Sequence, residues 1–412
     1  MAPDQTGRGL ARRSKVVIAG TRNADLGTLR DLLVDQHARK IDIVAPASKI
    51  RSEEGVIVVK GADAVIDENG VTQTDGRYLP TVVFDEGIAE KLKIPLAYVR
   101  RLRFERPDLY DANVNGWLQG RRPKGFRDGQ GVWHEQRPAI EGDGRSFLIR
   151  AFRGDDGKEG AARAFLSDRF KTTDNLDVLT AALDGVAQAG HPVEITGCDL
   201  TDRRMYVRVQ SEAVKALAPT LLDGYRSPYS GLSGADNPTV FAGFEISNSE
   251  VGGGAFTITP RLVVEVCSNG MKITKDAFRE VHLGGRLDEG VIRWSEDTQR
   301  KSLEVVTARA RDSVATFLDV EYMERVIRDL EAKSGVRLSN AAEGVKTVSK
   351  RLAFSEETTN GVLDMFIRGG QTTAGGVMQA VTAYAQSVDD ADLAASLEAD
   401  ALKALDFAAA LV

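Results

Sequence analysis

A chain of 412 residues with 42% hydrophobic and 28% charged positions can bury sizeable cores and is too apolar for a disordered tail. Its 54 Lys and Arg against 60 Asp and Glu leave a net charge of −6, which argues against a histone-like polybasic binder but leaves room for a local basic face. No run approaches the roughly 18 apolar residues of a membrane span, and the leader MAPDQTGRGLARRSK lacks a signal-peptide core, so a cytoplasmic, membrane-free protein is expected. Cys198 and Cys267 are not in a Cys-x-x-Cys pair, and His37, His134, His191 and His282 lie far apart. Neither a disulfide framework nor a sequence-local metal motif is expected, and no cofactor.

After the leader, VVIAG (16–20) reads as a short buried strand, and Leu26, Leu29, Leu32 and Leu33 have helical spacing. The following TRNADLG lacks the glycine spacing of a dinucleotide-binding turn. IDIVAP (41–46) reads as a strand, and EGVIVVKGADAVIDENGV as two extended runs with a tight turn at Asn69-Gly70. From Phe84 the pattern turns helical through Gln119, with Pro95 and Pro107 each suited to open a helix. SFLIRAF (146–152) and ARAFL (162–166) predict a hairpin across a turn-rich loop. Asp174 is placed to cap a helix ending near Gly190.

MYVRVQ (205–210) alternates as a half-buried strand. In GAFTITPRLVVEVCSNGMKIT, Leu262, Val264 and Val266 share one face and Arg261, Val263 and Glu265 the other. Asn269-Gly270 fits a two-residue turn with positive φ at both positions. Helices are predicted over 296–318, 320–333, 339–352, 355–367 and 375–406, the first with an apolar stripe of Leu303, Val306, Ala310, Val314 and Phe317. The pattern predicts an α+β fold of mixed, antiparallel sheet regions with a largely helical C-terminal part. Its expected regions are a small α/β unit over 1–83, an α+β core over 84–295 and a helical region over 296–412.

The total charge conceals an asymmetry. Between Lys91 and Arg127 ten basic residues face three acidic ones, a local +7, whereas from Ser387 onward one basic residue faces six acids. Tyr98, Phe104, Tyr110, Trp117 and Phe126 are interleaved with the basic run. That combination suits nucleic acid, with cations for phosphates and flat rings for bases. Solvated helix faces over aromatic core residues have the same composition.

Within the run, Ala89, Ile94, Val99 and Leu102 match the apolar frame of a helix-turn-helix, which would present Arg100, Arg101 and Arg103 to DNA. Lys93 departs from that frame, because a left-handed residue other than glycine costs roughly 1 kcal/mol. A generic helical hairpin is therefore expected. RRPKGFR (121–127) reads as an exposed basic loop offering Arg121, Arg122, Lys124 and Arg127. The predicted hairpin adds Arg150, Arg163, Arg169 and Lys171, with Arg150 on the face of Leu148 and Phe152.

No Walker loop, His-Glu-x-x-His helix or Gly-x-Ser-x-Gly elbow is present. The adjacent acids Asp155-Asp156 and Asp389-Asp390 read as solvated or capping groups before they read as magnesium ligands. In EISNSEVGGGAF (245–256), Asn248, Ser249 and Glu250 precede three glycines. Bare backbone there suits either a phosphate or, more commonly, a mobile loop.

ARAFLSDRFKTTDNLDVLTAAL and FEISNSEVGGGAFTITPRLVVEVCSNGMKIT resemble phage- and plasmid-borne proteins of domain-of-unknown-function family 932. KLKIPLAYVRRLRFERPDLYDANVNGWL and GVMQAVTAYAQ are similar to its flanking helices, so the resemblance spans roughly residues 80 to 385. It implies a mobile-element protein in a bacterial cytoplasm and supplies no catalytic residue. Ser167, Asp168, Arg169, Asn248, Ser249 and Glu250 lie in the resembling runs and are candidates for a polar site.

The leading expectation is a DNA-binding protein of a mobile element that binds or anneals single strands in replication or recombination. It would act as a homo-oligomer, without catalysis or a cofactor. One alternative is a metal-dependent enzyme acting on nucleic acid or a nucleotide through Asp168 and Glu250. Another is a structural or host-interaction phage protein.

Overall fold

The computed structural model describes residues 18–62, 65–67, 70–72, 75–154, 158–280 and 296–411. The chain begins with β1 (Thr21–Ala24), α1 (Leu26–Arg39), β2 (Lys40–Pro46), β3 (Ile50–Glu53), β4 (Val56–Val59), β5 (Val65–Asp67), β6 (Gly70–Thr72) and β7 (Gly76–Pro80). Three helices follow, α2 (Val82–Leu92), α3 (Leu96–Glu105) and α4 (Pro107–Gln119). Next come β8 (Lys124–Arg127), β9 (Trp133–Arg137), β10 (Ser146–Phe152), β11 (Gly160–Ser167) and α5 (Asn175–Ala189).

The second half opens with β12 (Glu194–Leu200), β13 (Met205–Leu217), the short α6 (Pro219–Leu222) and β14 (Thr239–Asn248). It continues with β15 (Phe256–Val264), β16 (Gly270–Lys272) and β17 (Phe278–Glu280). The helical end comprises α7 (Glu296–Phe317), α8 (Val320–Ser334), α9 (Ala341–Arg351), α10 (Glu356–Gly369), α11 (Ala374–Ser387) and α12 (Ala391–Ala409). The fold is α+β, with a helical C-terminal region. Among the described residues, no helix is long and apolar enough to cross a membrane.

The chain divides into two compact units. Among the described residues, the first comprises 18, 35–62, 65–67, 70–72, 75–154 and 158–171, the second 19–34, 172–280 and 296–411. The sheet of the first unit runs in the order β2-β10-β11-β7-β4-β3. The expected hairpin forms here, β10 pairing antiparallel with β11, and β2 flanks β10 in register from Ser146↔Pro46 to Phe152↔Lys40. Strands from both sides of position 83 thus share one sheet. Its core collects Ile43, Phe84, Phe147, Ile149 and Phe165, with the Phe147 and Phe165 rings stacked at 4.5 Å. Thr81 starts α2 by accepting a hydrogen bond from Phe84 N at 3.2 Å, which satisfies one of the helix's orphan donors.

The second unit holds an antiparallel sheet in the order β1-β12-β13-β14-β15-β16, with β17 also paired to β15. Alternation along its strands divides the two faces. Val207, Val209, Phe244, Ile246, Ile258 and Leu262 join one core with Val178 and Leu179 of α5 and Val306 and Ala310 of α7. The other face is polar and also covered: Arg208, Glu245 and Arg261 lie on it, and Glu398 of α12 pairs with Arg261 Nη2 at 2.7 Å.

Three expected elements differ. The first strand is Thr21–Ala24, and Ile18–Gly20 of VVIAG is coil, with residues 16 and 17 outside the described residues. The helix predicted over 375–406 is two helices, because Asp390 Oδ1 accepts from Asp392 N at 2.9 Å and Leu393 N at 3.1 Å and so caps a new helix. Asn269-Gly270 is not a two-residue turn: residues 265–269 bridge β15 and β16, and the positive φ, 55°, falls on Ser268. Asn269 is buried instead, with Nδ2 donating to Tyr225 Oη at 3.0 Å. Of the turn expected at Asn69-Gly70, Asn69 lies outside the described residues, and Gly70 begins β6 opposite Asp67 of β5.

Asp199 ties β12 to its neighbours, accepting from Arg208 Nη1 at 2.5 Å, Arg22 Nη1 at 2.8 Å and Asn23 N at 2.6 Å. Burial pushes this carboxyl up, but Arg208, the Asn23 N–H and Arg22 together hold it below the ordinary value of 3.8. A depressed carboxyl contributes stability above its unfolded pKa and loses it as pH falls through the folded value. Asp199→Asn is therefore expected to lower stability at neutral pH and to flatten the acid limb below pH 3.8, read by circular-dichroism melts across pH.

Candidate nucleic-acid interface

The basic run from 91 to 127 separates into cations that hold the fold together and cations that face solvent. Between α2 and α3, Lys93 does adopt the left-handed conformation, φ 56° and ψ 41°. The strain of roughly 1 kcal/mol is accommodated by a closed turn in which Ile94 N donates to Ala89 O at 2.9 Å. Ala89, Val99 and Leu102 are buried behind it, a left-handed helix end that a generic helical hairpin and a helix-turn-helix frame have in common.

The arginines of that frame are committed. Arg100 Nη2 donates to Glu86 Oε1 at 2.7 Å, and Arg103 grips Asp85 through Nε at 2.8 Å and Nη2 at 2.6 Å. Asp85 is buried, and burial pushes its carboxyl up against the opposing effect of Arg103. Arg100 and Arg103 therefore clamp α3 to α2. Arg101 pairs with Glu105 at 2.9 Å on the outside, with 73% of its side chain exposed.

Two of the four hairpin cations, Arg150 and Arg163, are likewise buried. Arg150 is 1% exposed and pairs with Asp42 of β2, Nε to Oδ1 at 2.8 Å and Nη2 to Oδ2 at 3.1 Å. Its strand is interior to a covered sheet, so alternation did not place it in solvent. Arg163 is buried with its guanidinium 4.3 Å above the Phe152 ring. Arg169 is exposed, and Lys171 is half-buried.

RRPKGFR, expected as a loop, is one side of an exposed β-ribbon. Arg121 and Ile140 close its base through paired backbone bonds of 2.8 and 2.9 Å, and β8 then pairs antiparallel with β9. Asp128 organises the tip: its Oδ1 accepts from Gln130 N and Val132 N at 2.9 Å each, and its Oδ2 lies 2.6 Å from His134 Nε2. That His134 contact holds the Asp128 carboxyl below its ordinary value.

Residues alternate across the ribbon. On one face Phe126 lies opposite His134, their rings stacked at 5.2 Å. On the other, Trp133 lies opposite Arg127 and across Gly125, where a Cβ would approach the indole Cζ2 to 2.6 Å. Gly125 is thus needed for Trp133 to lie flat. Phe126 is 52% and Trp133 47% exposed, unusual for rings of this size.

Residues 121–140 carry Arg121, Arg122, Lys124, Arg127 and Arg137 against Asp128 and Glu135. Arg121 and Arg127 donate to backbone carbonyls, while Arg122, Lys124 and Arg137 have no partner among the described residues. Trp133, His134 and Arg137 escaped the sequence reading. Their segment lacks apolar alternation, and the legible signal was the turn Asp-Gly-Gln-Gly between two runs with aromatic residues.

The polar candidates of the second unit are internal. Asn248 Nδ2 donates to Thr173 O at 3.1 Å and Asn175 Oδ1 at 2.9 Å, and Asn175 N donates to Glu250 Oε1 at 2.6 Å. Ser249 Oγ donates to Arg203 O at 2.7 Å and accepts from Gly253 N at 2.8 Å. Asn248 and Glu250 thus fasten the end of β14 to the start of α5, while Ser249 is tied to Arg203 and to the glycine run. Asp174 occupies the N-cap position without a side-chain cap hydrogen bond, and Glu250 accepts from the N–H of Asn175, the first residue of the helix.

Asp168 belongs to the first unit, half-buried, with Ser167 Oγ donating to it at 3.4 Å. Asp390 is a helix cap, and Asp155-Asp156 lies outside the described residues. No family model, curated protein or solved structure matches the chain.

Proposed function

We propose that the chain binds nucleic acid, single-stranded DNA in particular, through the β-ribbon of residues 121–140. The observation that carries the reading is the joint exposure of Phe126 and Trp133 beside Arg122, Lys124 and Arg137, cations without partners among the described residues. Stacking on a ring requires an unstacked base, which a single strand offers and an intact duplex does not. Arg122, Lys124, Arg127 and Arg137 neutralise phosphates, and Arg101 and Arg169 are exposed cations elsewhere in the first unit.

The resemblance to family 932 adds the setting of a mobile element in a bacterial cytoplasm, where such a protein would serve replication or recombination. Self-association belongs to the proposal, because several ribbons along one strand turn weak contacts into retention.

The test is fluorescence anisotropy with a labelled single-stranded oligonucleotide and its duplex across a salt series. The single strand is expected to bind more tightly, with log K falling linearly in log salt. Replacing Arg122, Lys124, Arg127 and Arg137 together by alanine is expected to make the slope shallower by about 0.7 for each phosphate that is no longer neutralised. Affinity and slope both unchanged in that variant would overturn the proposal.

A further inference from the structure

On the polar face of the second unit's sheet, a cleft of about 510 Å³ lies between strands β13 to β17 and helix α12. That volume is within the roughly 300–1,000 Å³ of small-molecule sites. Its floor is a cross-strand row: Tyr206 stands opposite Ser247, Ser247 opposite Thr257, and Thr257 opposite Arg279. The wall supplied by α12 is made of Asp392 and the small residues Ala395, Ser396 and Ala399, the last three of which leave the space open.

The charges do not cancel. Lys272 pairs with Glu245 at 2.6 Å, and Asp392 accepts from Tyr206 Oη at 2.8 Å and lies 3.9 Å from Arg203 Nε. Two guanidiniums at the cleft, those of Arg204 and Arg279, have no carboxylate partner among the described residues. Among the described residues Arg204 is held by neutral acceptors alone, Ser247 Oγ at 3.2 Å, Ala255 O at 3.1 Å and Gly253 O at 3.4 Å. Gly254, at φ +146°, makes room for it: a Cβ there would come within 2.4 Å of Nη1. The glycine-rich run therefore shapes this cleft, while the polar residues just before it do not line it.

A second observation points to a ligand with donors. Glu245 is 3% exposed and lines the cleft, yet its Oε2 has no hydrogen-bond partner. Leaving a buried carboxylate oxygen unsatisfied is costly, and a ligand hydroxyl would relieve it. Among the described residues the one ring at the floor, Tyr206, is already faced by Arg204 at 5.8 Å and Lys272 at 5.5 Å, which leaves no platform for a base there.

We propose that this cleft binds a phosphorylated sugar. The phosphate dianion sits with Arg204 and Arg279, whose forked donors match its oxygens. The sugar hydroxyls meet Ser247, Thr257 and Ser396, and one donates to Glu245. The site is independent of the ribbon, and either reading stands if the other fails.

Calorimetric titration of the whole chain with ribose 5-phosphate is expected to show saturable binding of one equivalent, with ribose and inorganic phosphate each at least about tenfold weaker. Arg279 and Ser396 are exposed, so changing them spares the fold. Arg279→Ala is expected to weaken binding about tenfold, and Ser396→Phe, which fills the cleft from α12, to remove it without changing the melting temperature. The proposal is overturned if ribose 5-phosphate fails to saturate at about 10 mM, well above ordinary metabolite affinities. It is equally overturned if inorganic phosphate binds as tightly as the ester, or if both variants bind like the parent.

Discussion

Replacing Lys272 by methionine is expected to destabilise the second unit by about 3–5 kcal/mol, the loss that follows when one partner of a buried ion pair is removed. Lys272 Nζ lies 2.6 Å from Glu245 Oε1 and 3.6 Å from Glu398 Oε2, and it donates to Ala395 O at 3.2 Å. The Glu245 and Glu398 side chains are 4% and 11% exposed. Glu398 keeps Arg261 at 2.7 Å, but Glu245 loses its ion-pair partner, with one oxygen already unsatisfied in the parent.

In thermal melts the loss corresponds to a drop of roughly 6–20 °C for a unit of this size. The double variant Lys272→Met with Glu245→Met is expected to recover most of it, since a buried pair replaced by apolar side chains of similar volume is often neutral. A single variant that melts like the parent, or a double variant no better than the single, would show that the pair does not govern this face of the sheet.

Alanine at Trp133 is expected to weaken single-strand binding by about 1–3 kcal/mol, the range for losing one base–aromatic stack, or roughly 5- to 150-fold. Trp133 has its ring across Gly125, opposite Arg127, so the indole presents its face beside a cation. Trp133→Phe, which keeps a ring, is expected to retain most of the affinity. The salt slope separates stacking from charge: Trp133→Ala leaves every phosphate-binding cation in place and should not change it, whereas Lys124→Ala should make it shallower. Parent-like affinity in Trp133→Ala, measured by anisotropy on an unstructured oligonucleotide, would remove the ribbon's aromatic role.

Alternation and helical spacing were enough to place β2, β10, β11, α5 and the helices beyond position 295, because each is long and has a periodic apolar face. The α+β class follows from those elements alone. The break before α12 was harder to see, since its apolar pattern runs on and only the cap formed by Asp390 interrupts it. The ribbon was harder still. Its strands bury nothing, so no apolar period marks them, and their pairing rests on the Asp128 turn and on rings packed across the strands.

The local excess of positive charge between Lys91 and Arg127 was visible in the sequence, and so was the interleaving of aromatic rings. Which of those cations remain available was decided only by tertiary structure. Asp85 and Glu86 reach Arg103 and Arg100 across a helical turn, and Asp42 reaches Arg150 from 108 positions away through strand pairing. The same holds for the glycine-rich run, whose preceding Asn248 and Glu250 are drawn into the start of α5 while Gly254 accommodates Arg204. A charge is neutralised by whatever the fold brings within about 4 Å, and that distance is set by sheet register and helix packing, which composition along the chain does not contain.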